Sequence, residues 1–261
     1  MANTVFANKV IEAKANDLLV TAVNTRSLMA IDNSLAAEAG MTKTINVYTY
    51  EGNAEEVGIG EGNSNRGSIS YEGKDYTVKM VQQAFDYQDE DFMKDGTIVD
   101  NMLKGANQVM VNKMTADFYN EANKATLTQE APDGISYDVI VDAIAKMSLE
   151  DESGLFVLVS PEGKAELRKD SDYVAARMGE VVYNGQVGTI AGIPVIVTKA
   201  FERDMTTKGY VLHKDAIKLF MKKDVEVEQE RDADTRTNSV YLRTAYICAL
   251  VDATKAVRIS L

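Results

Sequence analysis

The residues able to do chemistry are few. His213 and Cys248 are the single histidine and single cysteine of the chain. Any Ser/His/Asp or Cys/His site would have to use His213, and its surroundings, Val211-Leu212-His213-Lys214-Asp215, carry no nucleophile signature. A three-histidine or Cys/His zinc centre is excluded by counting. Cys248 lies in the apolar run Ala245-Tyr246-Ile247-Cys248-Ala249-Leu250-Val251 with no basic neighbour to stabilise a thiolate, so it reads as a small buried hydrophobe.

Carboxylates are the remaining candidates. Asp89, Asp91, Asp232 and Asp234 are the acids that a carboxylate-dependent α/β enzyme would draw on, and Asp89-Glu90-Asp91 offers a metal the right donor type. Adjacent acids ahead of a helix also complement its partially positive N-terminus, and that is the expected use. The spacing Gly58-x-Gly60-x-Gly62 invites comparison with a phosphate loop. No helix start follows it, however, and Glu51, Glu55, Glu56 and Glu61 around it would repel a phosphate. The expectation is no catalytic residue, no cofactor and no metal.

The elements that would position these groups follow from periodicity. Residues 5 to 20 read as a short amphipathic helix, and looser patterning follows to about residue 40, as in an extended arm. Thr44-Ile45-Asn46-Val47-Tyr48-Thr49-Tyr50 alternates with a period of two, as do Ser68 to Tyr71 and Asp75 to Val81. The glycine- and glutamate-rich stretch between them has little to bury. Together they predict a long two-stranded hairpin with a flexible acidic tip. Ile98, Met102, Ala106, Val109, Met110, Met114 and Phe118 recur every three or four residues and predict a helix over residues 97 to 124, with Asn107 and Asp117 on its outer surface. Ser136 caps a further helix, and Leu155 to Val159 is apolar throughout, like a strand buried on both faces. Ser160-Pro161 opens another helix. Residues 209 to 213, 216 to 221, 225 to 230 and 240 to 251 read as strands.

Composition narrows the function further. The chain has 261 residues with 28 basic and 40 acidic side chains, a net charge of −12, and 45% hydrophobic residues. Such a chain is ordinary for a folded protein and long enough to bury a sizeable core. Its charge opposes nucleic-acid reading, because basic residues cluster no further than pairs such as Lys222-Lys223. The N-terminus lacks the pattern of a signal peptide, and no apolar run approaches the ~20 residues of a membrane span, so a cytosolic protein is expected.

In this order the parts resemble the major capsid proteins of tailed bacteriophages, the Hong Kong 97-like fold. Leu155-Phe156-Val157-Leu158-Val159-Ser160-Pro161, Gly192-Ile193-Pro194-Val195-Ile196-Val197, Tyr241-Leu242-Arg243-Thr244-Ala245 and Asp252-Ala253-Thr254-Lys255-Ala256-Val257 carry the resemblance, by their order after a hairpin and a long helix. It implies an α+β fold with an N-terminal arm over 1–40, an extended hairpin, the E-loop, with the strand leading into the P-domain over 41–85, and a spine helix of the peripheral P-domain over 86–130. An axial A-domain over 131–223 and return strands of the P-domain over 224–261 complete it. The implied function is an icosahedral shell of hexamers and pentamers around packaged double-stranded DNA, held without sequence-specific binding. A separate scaffolding protein and a portal are the implied partners, with no membrane, and assembly takes place in the host cytoplasm. The chain starts almost at the arm, without the long scaffolding segment of some relatives, and no cross-linking Lys and Asn pair is assigned. Glu51, Glu55, Glu56, Glu61 and Arg66 at the hairpin tip are the candidate contacts between subunits. Encapsulin shells around cargo enzymes share the fold and form the alternative.

Overall fold

The computed structural model describes residues 28–36, 40–171, 188–198 and 206–261, and the expected helix over 5 to 20 lies outside them. The first strands are β1 (Ala30–Asp32), β2 (Thr42–Glu51), β3 (Ser68–Thr77) and β4 (Lys79–Gln88), followed by helices α1 (Asp89–Lys94) and α2 (Ile98–Ala122). Strand β5 (Leu127–Glu130), helix α3 (Tyr137–Met147), strand β6 (Leu155–Val159) and helix α4 (Pro161–Lys169) come next. The chain closes with β7 (Thr189–Ile190), β8 (Ile193–Val197), β9 (Thr207–His213), β10 (Ile217–Asp232), β11 (Thr237–Leu250) and β12 (Ala256–Ser260).

The described strands form a four-stranded sheet in the order β1-β10-β11-β4, a six-stranded sheet in the order β5-β12-β9-β6-β8-β7, and the separate hairpin β2-β3. Helix α2, about 37 Å long at 1.5 Å per residue, bridges the two larger sheets. Its residues Leu103, Met110, Met114 and Phe118 share one apolar core with Leu219 and Tyr246 of the four-stranded sheet and Phe156 and Tyr210 of the six-stranded one. The other face of the six-stranded sheet buries Val157, Val211 and Val257 against Ile140 and Ile144 of α3. Proline at the start of α4 costs no hydrogen bond, and Ser160 Oγ accepts one from Gly163 N at 3.0 Å.

Alternation in β10 and β11 divides the four-stranded sheet between two partners. Leu219, Met221, Tyr246 and Cys248 point to α2. Phe220, Ala245, Ile247 and Ala249 point the other way, where they meet Ile45 and Val78 at the root of the hairpin. The hairpin therefore leaves the body on the side of the sheet opposite the long helix.

Several local expectations need correction. The segments 216 to 221 and 225 to 230 are one strand, β10, whose pairing with β11 absorbs register shifts between Met221 and Lys223 and between Lys223 and Glu226. The second hairpin strand does not run on to Val81 but stops at Thr77. Buried Val78 donates its N–H to the Met41 carbonyl at 2.7 Å, and β4 then joins β11 instead of β2. On α2 the apolar face is rotated: Val109 is 51% exposed, whereas Asn107 and Asp117 are buried. Among the described residues no helix is long and apolar enough to cross a membrane.

Candidate assembly surface

The hairpin pairs in unbroken antiparallel register from Thr42 opposite Thr77 to Glu51 opposite Ser68. Ten residues per strand carry it about 33 Å from its root. Register puts Tyr50 opposite Ile69 and Tyr71 on the same face two residues on, and these three side chains are 64% to 70% exposed. Three large apolar groups on one face of a two-stranded ribbon thus stay largely exposed to solvent, which marks a surface for packing.

The tip, residues 52–67, is exposed throughout, as its composition predicts, but it is not without internal order. Glu55 accepts hydrogen bonds from Ser64 N at 3.0 Å, Ser64 Oγ at 2.7 Å and Asn65 N at 3.0 Å. The bond from the Ser64 hydroxyl, followed by those from the Asn65 and Ser64 amides, holds its carboxyl below the usual carboxylate range. At the neck the Tyr50 ring lies over Gly67, and a Cβ there would have to push the ring aside. Among the described residues Glu51, Glu56, Glu61 and Arg66 make no ion pair. Of the five candidate contacts at the tip, Glu55 is thus committed to shaping the loop and four charges stay available to a partner.

A family model described as phage capsid protein matches residues 71–259, most of the chain. The chain belongs to the phage capsid protein family. The major capsid protein of Staphylococcus phage phiMR11 is 25% identical over 239 residues, covering 90% of this chain and 85% of that protein. Among solved structures, the capsid of cyanophage P-SCSP1u superposes with a TM-score of 0.73 at 11% identity, covering 92% of this chain and 88% of the other. The mature capsid of bacteriophage PhiM1 gives 0.72 at 11%, with 88% and 85% covered, and the virus-like particle from Pyrococcus furiosus gives 0.68 at 10%, with 98% and 100% covered. This capsid protein therefore has the Hong Kong 97-like α+β fold of tailed-phage major capsid proteins, and it is a structural subunit of a virion shell.

Within the capsid protein three of the four acids considered for catalysis have structural employment. Asp89 begins α1 and accepts hydrogen bonds from Arg231 Nη2 and Asn238 Nδ2, both at 2.7 Å, while Glu90 pairs with Arg236 at 2.9 Å. Hydrogen bonding from Arg231 and then Asn238 holds the Asp89 carboxyl below its ordinary range. Asp91 meets Lys94 at 3.3 Å one helical turn on. Asp232 folds onto its own turn, accepting from Asp234 N at 2.9 Å and Thr235 Oγ1 at 2.9 Å. Asp89 and Glu90 thus fasten the start of α1 to the far turn of β10 and β11, and Asp232 shapes that turn. His213 is likewise a fastener: Asp215 N donates to its Nδ1 at 3.1 Å, which leaves Nε2 to donate to the Ser153 carbonyl at 2.8 Å. Cys248 is buried as expected, and burial pushes its thiol well above the ordinary range.

Asp117 is the polar site that sequence reasoning missed. It is 2% exposed, and its carboxylate accepts from Lys113 Nζ at 3.0 Å, Lys79 Nζ at 3.2 Å and Tyr246 Oη at 3.0 Å, so that α2, β4 and β11 meet on one charge. One turn on, buried Glu121 holds Lys124 Nζ at 2.6 Å. The spacing Lys113 to Asp117 at i, i+4 was a readable signal for a helix pair, but it does not disclose Tyr246 or Lys79.

Proposed function

We propose that this subunit is the major shell protein of a tailed phage, forming hexamers and pentamers in a closed icosahedral capsid, with each hairpin lying on a neighbouring copy. The observation that carries this is the hairpin itself: Tyr50, Ile69 and Tyr71 expose an apolar face some tens of ångströms beyond the body that made it. Ribbons of this kind gain stability only by packing on another surface, and a repeated lattice supplies one at every position. Glu51, Glu56, Glu61 and Arg66 then meet opposite charges of the neighbour, each pair contributing little alone but repeating around the shell.

The arm, the hairpin with the strand that follows it, and the spine, axial and return segments keep the boundaries 1–40, 41–85, 86–130, 131–223 and 224–261 in this reading. A separate scaffolding protein guides closure in the host cytoplasm, a portal occupies one vertex, and double-stranded DNA fills the interior without sequence-specific contacts. A net charge of −12 keeps the subunit from sticking to DNA while it is packaged. The subunit works as a building block, not as a catalyst. A second reading, a cellular compartment around cargo enzymes, draws on the likeness to the Pyrococcus furiosus virus-like particle, which shows shared fold alone.

Negative-stain microscopy of the purified protein, with and without a scaffolding partner, tests the proposal. Uniform particles that take up DNA when packaging proteins are present are expected. A protein that stays monomeric or dimeric with the scaffold present contradicts the shell, and particles that enclose a co-purifying enzyme instead of DNA favour the second reading.

A further inference from the structure

Strand β4 is the edge of the four-stranded sheet. One side pairs with β11 in regular register from Lys79 opposite Tyr246 to Gln88 opposite Thr237, and among the described residues no strand pairs with its other side. Long free edges are ordinarily blunted by internal lysines, prolines or bulges, because ten residues of unpaired N–H and C=O groups are a template for another strand. This edge has none of these devices. Its sequence, Lys79-Met80-Val81-Gln82-Gln83-Ala84-Phe85-Asp86-Tyr87-Gln88, contains no proline, and its charges are one cation at the start and one anion near the end. The six residues between them, Met80 to Phe85, are uncharged. Val81, Phe85 and Tyr87 are half-buried against the core beneath α2, which fixes the strand, while Met80, Gln82, Ala84 and Asp86 line the exposed face.

We propose that the free edge of β4 pairs antiparallel with the β4 edge of a second copy, across a local two-fold, so that the four-stranded sheets of two subunits become one. The inference rests on the shell reading above and names a contact distinct from the hairpin. Charge selects the occupant: the chain carries −12, so most approaches of one copy to another are repulsive, whereas this strip is nearly neutral, with Asp86 the one charge on its exposed face and Lys79 held by Asp117 on the other. A two-fold perpendicular to the sheet keeps exposed residues opposite exposed residues and the apolar row on the helix side, and it is the symmetry that self-complementary surfaces adopt. Register centred on Gln83 sets Gln82 opposite Ala84 and Val81 opposite Phe85, with no like charges facing each other.

Directly opposed residues in such a pair have Cα atoms about 4.5 to 5.5 Å apart, within the roughly 4.4 to 6.8 Å that a disulfide tolerates. Cys248 is buried and gives little background. The test is oxidation of assembled particles of Gln82→Cys, Ala84→Cys, the double variant Gln82→Cys/Ala84→Cys, and Met80→Cys as a control near the end of the strand. The proposal expects a band of twice the chain mass in the double variant at least fivefold stronger than in Met80→Cys. Absence of that band from particles that assemble normally, or equal bands from all variants, overturns it while leaving the shell reading intact. A band at another mass assigns the edge to a different protein and also overturns it. If wild-type protein forms no particles at all, the shell reading fails and this contact fails with it.

Discussion

Asp117 holds together three elements that no local pattern connects, and the direction of its titration follows from its surroundings. Burial raises its pKa, but the hydrogen bonds from Lys113, Lys79 and Tyr246, with the Lys79 charge, outweigh burial and leave it below the ordinary value. A carboxyl depressed in the folded state adds stability above its unfolded pKa of about 4 and loses it as pH falls through the folded value. Asp117→Asn keeps an acceptor for Tyr246 but discards the charge, and it should cost about 1 to 3 kcal/mol at pH 7. Urea melts at pH 7 and pH 3 check both points: the variant should be the less stable at pH 7, and the difference should shrink at pH 3. His213 predicts something milder. Gln reproduces the donor to the Ser153 carbonyl but not the acceptor for Asp215 N, so His213→Gln should lower stability by about 1 kcal/mol and leave particle shape unchanged. Particles of altered morphology would show that His213 does more than tie two loops.

The long helix was readable in extent because apolar residues recur every three or four positions from Ile98 to Phe118, and the observed bounds, Ile98–Ala122, differ from expectation by one and two residues. Its buried face was less readable. Polarity placed Asn107 and Asp117 outside, and the tertiary partners Lys79 and Tyr246 join Lys113 in making the burial of Asp117 tolerable. The amide of Asn107 has no hydrogen-bond partner among the described residues. Leu103, 1% exposed, should therefore cost about 2 to 5 kcal/mol as Leu103→Ala, whereas Val109→Ala at 51% exposure should cost less than about 0.5 kcal/mol. Thermal or urea melts that ranked the two equally would contradict the observed helix face. Strand pairing lay beyond local pattern altogether: β12 joins β5 in parallel and β9 antiparallel, uniting residues 127–130, 207–213 and 256–260 in one sheet. In the hairpin, alternation disclosed the strands, and composition disclosed the exposure of the tip. The Glu55 network was hidden because a glutamate reaching nine residues forward to Ser64 has no periodic signature.

At the scale of the whole molecule, an acidic subunit must come together with copies of itself. Repulsion between charges of −12 is screened over about 10 Å at 0.1 M salt, so assembly yield should rise as ionic strength increases from about 0.01 M to 0.15 M. Light scattering across that range should show the rise, and a steady fall would mean that attractive ion pairs dominate the contacts. The central claim is that the hairpin beyond its root contributes to the shell and almost nothing to the subunit's own core. Replacing residues 52–67 by an Asn-Gly turn removes the acidic tip while leaving the root residues Ile45 and Val78 in place. The most direct measurement is electron microscopy of that variant, paired with its thermal melt. The account predicts an unchanged melting transition together with absent or malformed shells, and normal closed shells from the shortened protein would contradict it.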